Sequence, residues 1–314
     1  MTTLANGSAE GAIGPSWRST SNARRWIALR MPQVAVAPSL AIIALVVYGF
    51  MLWTAYISLS RSNIMPSYEW AGLVQYQRLW SNPLWWIAVK NIFVFGFLFI
   101  AFSTIVGLGL AIFLDQRIRI EGALRAIYLY PMALSFIVTG TAWKWILNPG
   151  LGIEHLVRLL GWDGFRFDWL VNPTYAVYTL VIAGVWQSSG FVMALFLAGL
   201  RGIDDEMVKA ARLDGAGLIQ IYRRIILPLL TPTFLTVGVI LLHQAVKSFD
   251  LVVALTSGGP GNSTQLPATF MYLQTFGRDQ MGVGAASAVM IFMTVAAIIV
   301  PYLYSDIRRA RHEG

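Results

Sequence analysis

Side chains able to do covalent or metal chemistry are scarce in this chain. Cysteine is absent, and imidazole comes only from His155, His243 and His312, which are too scattered for a metal site. Asp204 and Asp205 form the one adjacent pair of aspartates. What recurs instead is hydrogen-bonding chemistry inside apolar runs. One cluster is Trp186, Gln187, Ser188 and Ser189; the other is His243, Gln244, Lys247, Ser248 and Asp250. At helical spacing, Gly184, Gln187, Ser188 and Phe191 share a face, and so do Leu241, Gln244, Ala245 and Ser248. Polar groups in a bilayer are costly unless paired or hydrated. Amides and hydroxyls suit a hydroxyl-rich solute, and an aromatic ring suits its C–H faces. Hydrogen bonds between helices, with no ligand, would use the same residues, and both readings stand. Lys247 and Asp250, three residues apart, are placed to pair.

These clusters need elements to hold them, and composition says which kind. The 314 residues are 57% hydrophobic and 12% charged, against about 25% charged in a typical soluble domain. The expected class is an all-α, polytopic membrane protein. A membrane helix needs about 20 mostly apolar residues. Six stretches qualify, at 33–59, 86–114, 122–147, 174–200, 226–256 and 283–304. Residues 1–32 have no apolar core of a cleavable leader; Trp17 and Trp26 among Arg18, Arg24, Arg25 and Arg30 suit a membrane surface. The expected organisation is a cytoplasmic segment 1–32, a six-helix domain 33–304 and a cytoplasmic tail 305–314. Pro131, Gly140, Gly184, Gly190 and Gly238 fall inside spans, where neighbours can satisfy freed backbone groups, and Gly107, Gly109 and "GVGAASA" at 282–288 are expected to let helices approach closely.

Basic residues orient the spans. Arg18 to Arg30, Arg117, Arg119, Arg125, Arg201, Lys209, Arg212, Arg223, Arg224, Arg308, Arg309 and Arg311 fall on one side. Only Arg61, Arg78, Arg158, Arg166 and Arg278 fall on the other. The rule that cytoplasmic loops collect Lys and Arg then puts both termini in the cytoplasm. It also accounts for the net charge of +8 without nucleic-acid binding.

One polar segment, 201–225, interrupts the apolar pattern. Asp204 is a good N-cap, and Asp205 and Glu206 suit the positive end of a helix dipole. The helix should run to Asp214 and stop at Gly215, which adopts the left-handed conformation at low cost. A second short helix at 216–225 should follow, with Pro228 in the first turn of the next span. Met207, Ala210, Ala211 and Asp214 fall on one shallow face that a partner protein could approach closely.

The order "KAARLDGA", with "ILP" eleven residues beyond Ala216, resembles the EAA loop of ABC-importer permeases. Ala210, Ala211, Asp214, Gly215, Ala216, Ile225, Leu227 and Pro228 carry the match. "FLAGLRGIDDEM" before it and "FDLVVALTSGGPGNST" at 249–264 resemble the sugar-permease version. The resemblance runs from about 35 to 310 and is strongest to carbohydrate permeases of the glucose/mannose branch. It implies the type I importer fold, in which the loop docks on a cytoplasmic ATPase and the faces of the fourth and fifth spans line the sugar path. It also implies a second homologous permease, two copies of the ATPase and an extracytoplasmic sugar-binding protein in a bacterial inner membrane. Lys209 replaces the family's leading glutamate, reversing its charge; Glu206, three residues earlier, could partly compensate. "TSGGPGNST" lacks the lysine of a phosphate-binding loop. The resemblance therefore implies a transport subunit that binds no cofactor, with ATP and Mg used by the partner ATPase. A permease for a disaccharide or glycerol phosphate, a membrane-embedded transferase and an ion-coupled transporter are the alternatives.

Overall fold

The computed structural model describes residues 21–116 and 118–310. The segment with Trp17 and Arg18, together with Arg117, Arg311 and His312, lies outside the described residues, as do the side chains of Arg24, Arg25, Trp26 and Arg30. Two compact units are present, Met1–Trp53 and Thr54–Gly314. The first carries most of α1 (Ser21–Ile57), whose described apolar side chains are exposed along most of its length, as a surface bathed in lipid should be.

In the second unit α2 (Val74–Trp80) leads into α3 (Pro83–Asp115). Asn82 caps α3, its side chain accepting from the Leu84 N–H at 3.0 Å, and Pro83 fills the first turn. Then come α4 (Glu121–Leu129), a 3-10 turn at Tyr130–Ala133, α5 (Phe136–Ile146), α6 (Ile153–Leu159) and α7 (Ala176–Arg201). After α8 (Asp205–Leu213), the chain runs helically through α9 (Leu218–Ile221), a π-helical turn at Tyr222–Ile226 and α10 (Leu227–Leu229). It continues as α11 (Thr231–Val246), α12 (Phe249–Leu255), α13 (Pro267–Tyr272) and α14 (Met281–Ala310).

Among the described residues six membrane crossings follow if each bent pair counts as one, but only four are single helices: Val36–Ile57, Pro83–Asp115, Ala176–Arg201 and Met281–Pro301. The expected stretches 122–147 and 226–256 are each found as a bent pair of helices rather than one helix. The third is broken by 100° between Glu121–Ala133 and Phe136–Ile146. Pro131 tightens the chain into a 3-10 turn, and Leu134 is extended at ψ 145. Ser135 then starts a new helix, its hydroxyl accepting from the Val138 N–H at 3.3 Å. The fifth is bent by 63° between Leu218–Leu229 and Thr231–Val246, where Pro232 supplies no N–H to continue the ladder. It stops at Val246, ten residues short of the expected end, and restarts as α12. The C-terminal helix reaches Ala310, so 305–310 of the expected tail is helical.

The core forms where α3 packs along α7. Phe95 and Phe99 stack at 5.4 Å, and Val192, Met193, Phe196 and Leu197 are fully buried. Gly107 faces Val192 so closely that an added Cβ would lie 2.7 Å from the valine Cβ. Gly140 meets Ala254 on α12 in the same way, at 2.7 Å, and Gly190 abuts the Tyr128 backbone. Gly109 has open space instead, so the expectation of close packing fails there.

The first connection is bonded within itself and to the fifth, and the second is paired with the fourth at the far ends of α3 and α7. The Gln75 amide donates to the Ser60 carbonyl at 2.7 Å, and the Gly282 N–H donates to Ser62 at 2.9 Å. At the opposite end Arg201, closing α7, pairs with Glu121, opening α4, at 2.6 Å. Gly190→Ala should force α7 away from the Tyr128 carbonyl. Overpacking of this kind costs about 1–3 kcal/mol, so thermal unfolding of the purified protein should shift down. Gly109→Ala, with nothing to strike, should leave the midpoint unchanged or slightly raised.

Candidate functional site

The polar segment after α7 folds as its residues require. Asp204 sits in extended conformation and its carboxylate accepts from the Glu206 N–H at 2.9 Å. Asp205 and Glu206 occupy the first turn of α8, where the unpaired N–H groups favour negative charge. At the other end Gly215 takes φ +82. Its N–H donates to the Arg212 carbonyl at 3.1 Å, and the Ala216 N–H reaches back to Ala211 at 3.0 Å. That pair of bonds is a Schellman cap, which depends on a left-handed residue at Gly215.

The second helix departs from the expected 216–225. It begins at Leu218 and continues to Leu229, so Pro228 lies inside helical structure rather than in the first turn of a new span. A proline there would press on the carbonyl four residues back. The π turn at Tyr222–Ile226 precedes it and widens the helix, the Leu227 N–H bonding to Tyr222.

The face drawn from helical spacing is divided. Val208, Ala211 and Ala216 turn toward the core, with Ile221 and Ile226 buried beyond them. Met207, Lys209, Ala210 and Asp214 are exposed. Glu206 forms no ion pair with Lys209; among the described residues the ion pairs are Glu154–Arg158 and Glu121–Arg201. Sequence reasoning missed the large apolar side chains flanking the glycine elbow. Leu213 is 89% exposed and Ile219 84%, with Leu218 beside them. The signal was present in "RLDGAGLI": leucines and an isoleucine in a polar segment have to be covered by something.

The polar faces of α7 and α11 are brought together in part. The Ser188 hydroxyl donates to the Gln244 side-chain oxygen at 2.9 Å, bridging the two helices. The Gln187 amide instead donates to the Leu134 carbonyl at 2.7 Å, at the break in the third span. Its own side-chain oxygen is buried without a protein partner. Gly184 packs under Phe99, and Phe191 is half-buried. Leu241 and Ala245 are buried in the core, Ala245 lying over Gly96 on α3. Ser248 falls past the end of α11, so it leaves the helical stripe; it is buried and donates to the Ala245 carbonyl at 2.6 Å. Lys247 and Asp250 are exposed and do not pair, because the break at Ser248 separates them.

A groove of about 1240 Å³ runs beside these residues and uses the neighbouring face of α7. Trp186, Ser189 and Val185 line it with Tyr128, Trp143 and Phe102. It is overwhelmingly apolar, and Gln187, Ser188, Gln244 and Ser248 are outside its lining.

Comparison with known proteins now identifies the class. Residues 103–309 match the binding-protein-dependent transport system inner membrane component family, and the chain belongs to it. It is an ABC importer permease, a multi-pass transport subunit rather than an enzyme. It is 39% identical over 269 residues to the probable ABC transporter permease protein PH1215 of Pyrococcus horikoshii, covering 85% of this chain and 92% of that one. The xylose/arabinose import permease protein XacH of Haloferax volcanii is 38% identical, over 76% of this chain and 75% of its own. The trehalose/maltose transport system permease protein MalF of Thermococcus litoralis is 29% identical, over 87% and 92%. In fold the chain resembles a subunit of a bacterial ABC transporter involved in alginate import, with a TM-score of 0.78 at 19% identity over 91% of this chain and 99% of that one.

Gly215→Val tests the elbow. A β-branched residue at positive φ is strained by roughly 1–2 kcal/mol or more, so the α8–α9 junction should open. Limited proteolysis should then cut 202–217 faster than in the parent, while Gly215→Asn, which tolerates the left-handed region, should resist cutting nearly as well as glycine.

Proposed function

We propose that this permease carries a neutral sugar, a hexose such as glucose or mannose, from an extracytoplasmic binding protein into the cytoplasm. The observation that carries the reading is the Ser188–Gln244 bond: a hydroxyl and an amide, held across α7 and α11 at 2.9 Å, that can exchange each other for a polyol. Gln187, the residue before Ser188 on α7, adds a buried side-chain oxygen without a protein partner. Relatives named for xylose/arabinose and trehalose/maltose transport support a sugar. Another is named for sn-glycerol-3-phosphate, but Gln187, Ser188 and Gln244 are all uncharged, which favours a solute without phosphate.

In this reading α8 and the α9–α10 helix couple the permease to ATP hydrolysis. Met207, Lys209, Ala210, Asp214 and the exposed Leu213 and Ile219 meet one of two cytoplasmic ATPases, which use ATP and Mg. Glu206, Ala211, Gly215, Ala216 and Pro228 set the shape of the junction. A second homologous permease completes the path, and the chain sits in a bacterial inner membrane with both termini in the cytoplasm. The bonding of the first connection to the fifth and of the second to the fourth is compatible with that arrangement, and the basic residues give it its direction. The reversed charge at Lys209 calls for an acidic residue opposite it on the ATPase.

Reconstituted complex supplied with binding protein loaded with one sugar at a time tests the substrate. ATPase stimulation by hexoses above pentoses, disaccharides and glycerol phosphate is expected; stimulation by another class reassigns the cargo. A neutral hydrogen bond is worth about 0.5–1.5 kcal/mol, so Gln244→Ala should lower uptake several-fold with sugar affinity of the binding protein unchanged. Unaltered uptake would move the path elsewhere. A reporter fused after Gly314 should read as cytoplasmic and one within 257–280 as extracytoplasmic.

A further inference from the structure

The connection between α5 and α7 has its amphipathy inverted. Glu154 on α6 is only 8% exposed; it pairs with Arg158 one turn on, at 2.5 Å, and accepts from the Phe167 N–H at 3.0 Å. Arg158 donates in turn to the Phe165 carbonyl at 3.0 Å. Glu154 therefore faces inward, and Arg158, its side chain 39% exposed, closes over it, so that the pair holds α6 to the returning chain, while His155 stays exposed. The apolar ones face out: Leu151 is 81% exposed, Leu160 87% and Trp162 65%, with Leu156 and Leu159 beside them. A helix on a water-exposed surface does the reverse, and a contiguous apolar patch of this kind marks an interaction surface.

Three observations say what covers it. The element begins directly after α5 and ends before α7, so it lies where two membrane spans enter water. Trp145 and Ile146, in the last turn of α5, are exposed and extend the same apolar surface onto a span. Residues 151–162 line neither the groove beside α7 nor the second groove between α3 and α14, so the face stands apart from both. A fluid apolar phase fits a surface of that form, and tryptophan is enriched at such boundaries.

We infer that residues 151–162 form an interfacial anchor, its leucines and Trp162 immersed at the boundary between headgroups and acyl chains of the bilayer. Turning Glu154 inward, neutralised by Arg158, is what allows a short helix to turn its apolar side to lipid. The anchor fixes the level of the α5–α7 connection, and with it the broken third span. This rests on the membrane-spanning class of the chain and not on the identity of the cargo.

The absence of cysteine makes the test direct. Leu156→Cys and Leu160→Cys, each labelled with the NBD fluorophore, are placed in purified permease complex in phosphatidylcholine nanodiscs, with Glu69→Cys as an exposed control. Lipid brominated near the headgroup end of its acyl chains should quench both anchor labels, and aqueous iodide should quench mainly the control. Iodide quenching equal to that of the control would overturn the anchor. So would shielding from both quenchers, since a protein partner would then cover the face. Two sites, one on α6 and one beyond it, keep the result readable if either substitution fails to insert.

Discussion

The hydrogen bond from Gln187 to the Leu134 carbonyl is the contact on which the middle of the molecule depends. Inside a bilayer every backbone polar group must find a partner in the protein. The third span gives one up when it breaks: the Val138 N–H, which would have bonded to Leu134 in an unbroken helix, is taken by the Ser135 hydroxyl. Gln187 fills the vacancy from the neighbouring helix at 2.7 Å. The break is thereby tied to α7, and α5 is free to leave α4 at 100° and pack on α12 through Gly140.

α7 is consequently the hub. Its N-terminal half carries Gln187 to the third span and Ser188 to α11. Its C-terminal half buries Val192, Met193 and Phe196 against the core, and its last residue, Arg201, pairs with Glu121 at the start of α4. Three residues later Asp204 caps α8. In the proposed coupling role, a displacement of α8 has a short path into the bundle, either back through Arg201 or forward through α9 and the π turn into α11. The π turn is well placed for this, because the wider helix at Tyr222–Ile226 and the bend at Leu230 concentrate the irregular geometry in one stretch.

The charge pattern of α8 adds a constraint. Acidic Asp205 and Glu206 satisfy the helix start, which leaves Lys209 and Arg212 exposed without ion pairs beside the apolar Leu213. In the proposed coupling role, an apolar side chain flanked by exposed cations suits a surface that is apolar at its centre and acidic at its rim. Exposed pairs of this sort contribute little to affinity in water, about 0–1 kcal/mol, and more to which partner is accepted.

Much of this was legible in the residues. Six apolar stretches were long enough to span, and their hydropathy located them without any tertiary information. Asp204, the acids after it and Gly215 specified the helix and its cap, because capping is settled within four or five residues by local hydrogen bonds. The EAA-like order and "SGGPGNST" placed the family. What sequence could not decide was set by contacts between distant segments. Hydropathy measures length and apolarity, and a run broken at Leu134 or Leu230 scores the same as a straight one. Pro131 and Pro232 were compatible with a mild kink or a full break, and it took the partner amide of Gln187 to make a break affordable. Helical spacing placed Ser248 beside Gln244, but the helix ended at Val246 first. The same spacing put Ala211 on an outward face, and only packing against the core showed that α8 turns that side in and presents Leu213 to solvent.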